Sequence, residues 1–160
     1  MEINEILTED RTFCRIEASS KKRAIEAASE LVAQTRPELS AAGIYSALMS
    51  REKISPTALG EGIALPHCRV PCRQIIGALV TLAEPIDYGA IDDEPINTLF
   101  VLLVPEEENE EHLKTIAGLV ARFEHKQYRD ALIRADTSAD LFEAALNSDF
   151  GTGVSAQQTR

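Results

Sequence analysis

The chain has 160 residues, one domain's length, with 44% hydrophobic and 26% charged residues, ordinary values for a globular protein. Its net charge of −10 at pH 7 has the wrong sign for a face that neutralises nucleic-acid phosphates, and the longest charge run, Glu106-Glu107-Glu108-Asn109-Glu110-Glu111, is acidic; nucleic acid is not an expected partner. No apolar run approaches the roughly 20 residues of a membrane helix, and Met1-Glu2-Ile3-Asn4-Glu5-Ile6 lacks the pattern of a signal peptide, so a cytoplasmic protein without membrane insertion is expected.

No internal repeat is visible. Residues 12–18 read as a short strand, with Phe13 and Ile16 apolar. Ser19 and Ser20 can cap a helix over 20–35, whose Ala24, Ala28, Leu31 and Val32 share a face. Pro37 stops that helix or follows its end. A second helix fits 40–51, with Ser40 as its cap and Ile44 and Leu48 one turn apart. The stretch from Ile54 to Pro66 is too broken by glycine and proline for a regular element.

Ile75 to Leu82 and Thr98 to Val104 are β-branched apolar runs, which suit strands buried on both faces; a polar turn region, Glu84 to Pro95, separates them. The C-terminal part reads as helical, with a stripe of Leu113, Ile116, Val120 and Phe123. Thr137 and Asp140 resemble a capping box ahead of Leu141, Phe142, Ala145 and Leu146. Residues 151–160 are small and polar, and 148–160 are expected to form a disordered tail. Helices before, between and after strands give an α/β layered domain over residues 5–147, without fixing strand order.

Histidine is scarce: His67, His112 and His125. His67 closes the segment Gly60-Glu61-Gly62-Ile63-Ala64-Leu65-Pro66-His67. Its glycines allow close backbone approach or positive φ, and Pro66 biases Leu65 towards an extended conformation. Arg51 and Arg69 flank the segment and Thr57 lies upstream, the basic and hydroxyl groups that a phosphoryl group needs around it. Spacing alone does not separate this reading from a structural histidine in a loop, since loops are rich in both glycine and proline. Nor does it separate His112 from a surface histidine in a first helical turn, or His125 from an exposed one near a helix end.

A resemblance separates them. Ser50-Arg51-Glu52-Lys53-Ile54-Ser55-Pro56-Thr57-Ala58-Leu59-Gly60-Glu61-Gly62-Ile63-Ala64-Leu65-Pro66-His67 resembles the phosphorylation-site signature of the fructose/mannitol-type IIA domains of the bacterial phosphoenolpyruvate-dependent phosphotransferase system. Ser20-Lys21-Lys22-Arg23-Ala24, Ile91-Asp92-Asp93-Glu94-Pro95, Phe100-Val101-Leu102-Leu103-Val104-Pro105 and His112-Leu113-Lys114-Thr115-Ile116 resemble family segments in the same order. The likeness covers roughly residues 5–147 and is strongest to the nitrogen-regulatory branch.

The resemblance implies a single domain with a mixed β-sheet flanked by helices on both faces. It implies a phosphotransferase component in which His67 is the acceptor, becoming a tele-phosphohistidine, with His112 and Arg51 beside it. Thr57, Arg69, Gly60 and Gly62 are candidates to stabilise the phosphoryl oxygens. The implied donor is a histidine-containing phosphocarrier of the nitrogen type, and the implied targets are regulated proteins such as a potassium transporter or a sensor kinase. No metal and no cofactor are expected, and the oligomeric state is not implied. The surface around His67 is expected to be largely apolar, so that water does not intercept the phosphoryl group. The sequence departs from the family at Pro56, Cys68 and Cys72, and keeps a basic residue at Arg69.

Three other readings stand beside this one. A sugar-specific IIA component would pass phosphoryl to a transporter IIB domain; the lack of a IIB-like or membrane segment favours the regulatory role. A pure binding regulator would never be phosphorylated. The run His67-Cys68-Arg69-Val70-Pro71-Cys72 offers three ligand types for a metal or redox site, short of a full zinc set, with Cys14 remote. Oxidation of Cys68 is also a conceivable block on its neighbour. The odd cysteine count, three, argues against a disulfide framework.

Overall fold

The computed structural model describes residues 2–107 and 110–150. Two long apolar strands form the centre of the sheet. β5 (Ile76–Ile86) and β6 (Ile96–Pro105) run antiparallel, Ile76 opposite Leu103 and Val80 opposite Leu99. Successive side chains of a strand point to opposite faces. Leu99, Val101 and Leu103 therefore enter one core, while Phe100, Leu102 and Val104 enter another. Both faces are covered, which explains why neither run alternates with polar residues. Each fully buried large side chain here stabilises the fold by roughly 1.5–3 kcal/mol.

Four further strands complete a six-stranded mixed sheet. β1 (Leu7–Ile16) pairs parallel with β5. On the other side of β6 lie two short parallel segments, β3 (Ile63–Ala64) and β4 (His67–Val70), and β2 (Ala58–Gly60) closes antiparallel on β3. The stretch read as irregular thus contains two short strands and leads into a third. Leu65 and Pro66 interrupt what would otherwise be one strand along β6. Pro66 has no N–H to give, but its carbonyl accepts from the Leu102 amide at 2.9 Å, so the ladder resumes directly after it. Gly60 (φ 91°), Glu61 (φ 56°) and Gly62 (φ 85°) make the left-handed turn from β2 to β3.

β1 begins five residues before the expected strand and ends two before its expected end, because Thr8, Glu9 and Asp10 carry no apolar pattern yet extend along the edge of the sheet. Its register shifts between Phe13 and Ile16, where Arg15 takes φ 53° and its amide donates to Thr81 Oγ1 at 2.8 Å. β5 likewise runs on to Ile86, into the expected turn region.

The five α-helices among the described residues divide between the faces. α1 (Lys21–Thr35) and α2 (Ala41–Glu52) cover one face with Ala24, Ile25, Ala28, Val32, Ile44 and Leu48. Their caps are the expected ones: Ser20 Oγ accepts from the Arg23 amide and Ser40 Oγ from the Gly43 amide. α3 (Glu110–Phe123), α4 (Lys126–Arg134) and α5 (Ser138–Ala145) cover the other face, α5 capped by Thr137 Oγ1 on the Asp140 amide. The expected mixed sheet with helices on both faces is the observed architecture.

α3 is rotated relative to its apolar stripe. Its buried residues are His112, Thr115, Leu119, Arg122 and Phe123. Leu113 is 63% exposed, while Ile116 and Val120 are only half-buried. The inward polar groups have partners: Thr115 Oγ1 donates to the Glu111 carbonyl at 2.9 Å, and Arg122 donates to the carbonyls of Ala145 at 3.3 Å and Asn147 at 3.0 Å. Those Arg122 bonds also fix the chain after α5. A short turn at Ser148–Phe150 follows, and the buried Phe150 ring packs on Tyr128 and His125. Ordered structure therefore extends three residues into the expected tail. The rest of that tail, residues 151–160, lies outside the described residues. His125 is half-buried at the N-cap position of α4, not the exposed residue expected from sequence.

Candidate functional site

β2 stops alongside β3, so β4 has no strand on its outer side among the described residues. The end of α2 and the start of α3 flank this open edge. Between them lies a groove of about 560 Å³ lined by Ala47, Ser50, Arg51, Ile54, His67, Cys68, Arg69, Val104, His112, Leu113 and Ile116. Four of the residues singled out from sequence, His67, His112, Arg51 and Arg69, meet here.

His67 is half-buried at the first position of β4. Its Nδ1 lies 2.8 Å from the Leu65 carbonyl oxygen. A carbonyl can only accept, so Nδ1 carries the proton and Nε2 carries the lone pair. The Leu65 carbonyl is itself well fixed: the Leu65 amide donates to the Thr57 carbonyl at 2.9 Å, the side chain is buried, and the next carbonyl is bonded to Leu102. His112 is buried in the first turn of α3 and lines the same groove.

Arg51, in the last turn of α2, donates from Nη1 to the Ser55 carbonyl at 2.9 Å, which leaves further N–H groups of the guanidinium to meet an anion. Arg69, two residues along β4 from His67, donates from Nη1 to the Glu106 carbonyl at 3.1 Å. Two guanidinium groups thus concentrate positive charge in the groove of a chain whose net charge is −10. Around them the rim is apolar: Ile54 is 78% exposed and Leu113 63% exposed, with Ile116 below.

Thr57, Gly60 and Gly62 are not in the groove. Thr57 is buried, and its hydroxyl donates to Glu52 Oε2, while its amide donates to Glu52 Oε1 at 3.1 Å. Gly60 and Gly62 serve the β2–β3 turn. The amide between them, on Glu61, donates to Asp92 Oδ2 at 3.0 Å, and the Gly62 carbonyl accepts from the amides of Asn97 and Thr98. None of the three lines the groove, and these bonds are to Glu52, Asp92, Asn97 and Thr98.

Sequence reasoning passed over Glu52, Lys21 and Tyr88. The Glu52 carboxylate, 5% exposed, is paired with Lys21 Nζ at 2.9 Å and accepts from the Tyr88 hydroxyl at 3.1 Å. Lys21 also sits over the Tyr88 ring, 4.3 Å from its centroid. Burial first, and the Glu52 charge second, push the Tyr88 phenol well above its ordinary range, so it remains a donor. The only available signal was that Lys21 and Glu52 sit inside the matched segments.

The cysteines do not complete a metal set, and among the described residues no three His, Cys, Asp or Glu side chains converge as one. Cys14, Cys68 and Cys72 are free thiols. Cys68 packs into the α1–α2 core, and burial, with Cys72 second, pushes its thiol up to about 12. Pro56 is exposed and lies by Gly89, and the Thr57 amide after it keeps its bond to Glu52.

Known proteins match both the sequence and the fold. Residues 5–148 match the family described as "Phosphoenolpyruvate-dependent sugar phosphotransferase system, EIIA 2". The nitrogen regulatory protein of Pseudomonas aeruginosa is 39% identical over 150 residues, spanning 93% of this chain and 97% of the relative. The crystal structure of nitrogen regulatory protein IIA-Ntr from Neisseria meningitidis superposes with a TM-score of 0.83 at 34% identity, covering 89% of this chain and 98% of that one. IIA mannitol from Escherichia coli shares the fold, with a TM-score of 0.70 at 23% identity over 87% of this chain and 98% of that one. No helix among the described residues is long and apolar enough to cross a membrane. The chain belongs to the EIIA 2 family of phosphotransferase-system components, on its nitrogen regulatory branch.

Proposed function

We propose that this protein is a cytoplasmic phosphoryl carrier in which His67 Nε2 takes a phosphoryl group from a nitrogen-type histidine phosphocarrier, and in which the phosphorylation state of His67 governs binding to regulated partner proteins. The observation that carries this reading is the 2.8 Å contact between His67 Nδ1 and the Leu65 carbonyl, inside a groove that also holds Arg51, Arg69 and His112.

The chemistry follows from that contact. With Nδ1–H bonded to Leu65, Nε2 of the neutral ring presents a lone pair without a base. It attacks the donor's phosphorus in line. The new Nε2–P bond forms as the donor's N–P bond breaks, and the donor ring takes back its electron pair. The proton on His67 Nδ1 stays, and the Leu65 carbonyl offsets the positive charge that grows on the ring. The transition state is loose, with charge on the equatorial oxygens, so positioning and nearby cations supply most of the acceleration. Arg51 and Arg69 are suited to those oxygens, and His112 to a hydrogen bond on one of them. The exposed Ile54 and Leu113 give a docking partner an apolar ring that keeps water from the phosphoryl group.

The test is a phosphotransfer assay comparing nitrogen-type and sugar-type phosphocarriers side by side, each charged by its own enzyme I from phosphoenolpyruvate. Faster labelling by the nitrogen-type carrier supports the reading. Faster labelling by the sugar-type carrier, followed by transfer to a sugar-specific IIB protein, assigns the chain to sugar transport. No labelling by either removes the carrier role.

A further inference from the structure

Glu52, the last residue of α2, is buried, yet no group in the groove uses its charge. Lys21 from α1, the Tyr88 hydroxyl from the β5–β6 connection, and the Thr57 amide and hydroxyl all converge on its carboxylate. From Thr57 the bonding continues. The Thr57 carbonyl accepts from the Leu65 amide at 2.9 Å, and the Leu65 carbonyl accepts from His67 Nδ1 at 2.8 Å. A continuous series of hydrogen bonds therefore runs from a buried carboxylate, through two loop residues, to the reacting ring.

The neighbouring residue reinforces it. Arg51 holds the Ser55 carbonyl at 2.9 Å, so two adjacent side chains at the end of α2 clamp the same loop. Lys53, Ile54, Ser55 and Pro56 are all exposed, so the side chains of Arg51 and Glu52 hold the loop ahead of Thr57, while β3 on β6 holds the stretch after it. A buried, hydrogen-bonded carboxylate carries a large penalty if its partners leave, so this end of the series is the rigid one.

We propose that Glu52 and Thr57 are positioning residues for His67: they set the Leu65 carbonyl so that Nδ1 keeps its proton and Nε2 faces the groove. The proposal rests on the reading of His67 as the phosphoryl acceptor. It also replaces the assignment of Thr57 as a phosphoryl ligand with an action through the backbone. Loosening Thr57 lets Leu65 move, and the ring then samples the other tautomer, in which Nε2 is protonated and cannot attack. The loss falls on the transfer step and not on docking, because neither residue lies in the groove.

The experiment uses the full chain with ¹⁵N-labelled histidine. In the parent protein the His67 ring gives separate Nδ1–H and bare Nε2 signals near neutral pH. Thr57→Val keeps the shape and removes the hydroxyl. The expected results are convergence of the two ring signals and a fall of about tenfold in the single-turnover transfer rate, with KM for the carrier within about twofold. Thr57→Ser is expected to recover the rate to within about threefold. Should Thr57→Val fail to fold, Tyr88→Phe removes one donor to Glu52 and is expected to move the ring signals the same way, with a loss of about threefold. A folded Thr57→Val or Tyr88→Phe with parental ring signals overturns the proposal, whatever its rate. The ring measurement needs no phosphoryl donor. Failure of the carrier reading therefore shows separately, as absence of label on His67 in the parent protein.

Discussion

The Nδ1 atom of His67 lies 2.8 Å from the carbonyl oxygen of Leu65, two residues earlier in the chain. Pro66 stands between them, its φ fixed by its ring and its carbonyl bonded to Leu102 of β6. The ring is thus held by its own backbone, and the backbone is held by the sheet. One consequence is chemical: with Nδ1 donating to that carbonyl, the ring's lone pair falls on Nε2, the nitrogen remote from the main chain.

The apolar rim makes a prediction about docking. Leu113 and Ile54 are exposed and make little contribution to the cores. Leu113→Glu and Ile54→Glu are expected to change stability by less than about 0.5 kcal/mol in denaturant titration. They are expected to raise KM for the phosphocarrier about tenfold, with kcat nearly unchanged. A parental KM in both variants would mean that the partner docks elsewhere.

His112 is expected to assist without being the acceptor. His112→Ala should slow single-turnover transfer by about ten- to a hundredfold while leaving His67 fully labelled at long times. Because His112 is buried, the variant should also lose about 1–2 kcal/mol of stability, so its folding is to be checked by melting before rates are compared. A transfer rate equal to the parent's would remove His112 from the chemistry.

Much of the fold could be read from the sequence, for identifiable reasons. Ser20, Ser40 and Thr137 each precede a run with helical spacing, and a side-chain oxygen in that position has one evident use. The β5 and β6 runs are long, apolar and β-branched, which leaves little besides a doubly covered strand. β3 was not legible: two residues carry no period, and its partner, Thr98 with Leu99, is remote in the chain.

The site was harder to read for a different reason. Leu113 and Ile116 have the spacing of a core stripe, and periodicity does not distinguish a face that packs on the sheet from one kept for a partner. With α3 so rotated, Arg122 meets the carbonyls of Ala145 and Asn147, partners that sequence spacing does not reveal. Thr57 is close to the acceptor segment in sequence, but the partner of its hydroxyl, Glu52, is not evident from spacing.

Cys68 follows His67 directly, yet its chemistry should be quiet. With its thiol pushed up to about 12, the thiolate fraction at about pH 8 is on the order of one in ten thousand. Iodoacetamide in the native state is therefore expected to leave Cys68 unmodified, and peroxide is expected to leave the phosphorylation rate unchanged. The sign for stability follows: the folded state holds this proton more tightly than the unfolded chain, so the effect is absent below the ordinary value of 9.0 and stability falls as pH rises from there towards about 12. Rapid native-state alkylation of Cys68 with loss of transfer would restore the redox reading.

The central claim is that His67 is the acceptor, through Nε2. Its most direct test is to label the chain with a charged phosphocarrier and locate the phosphoryl group under alkaline conditions, where phosphohistidine survives, by peptide mass and by ³¹P–¹⁵N correlation. The predicted result is one phosphoryl group per chain, on His67 Nε2, and none on a folded His67→Ala variant. Full labelling of that variant, or a phosphoryl group on His112, His125 or the Nδ1 of His67, would contradict it.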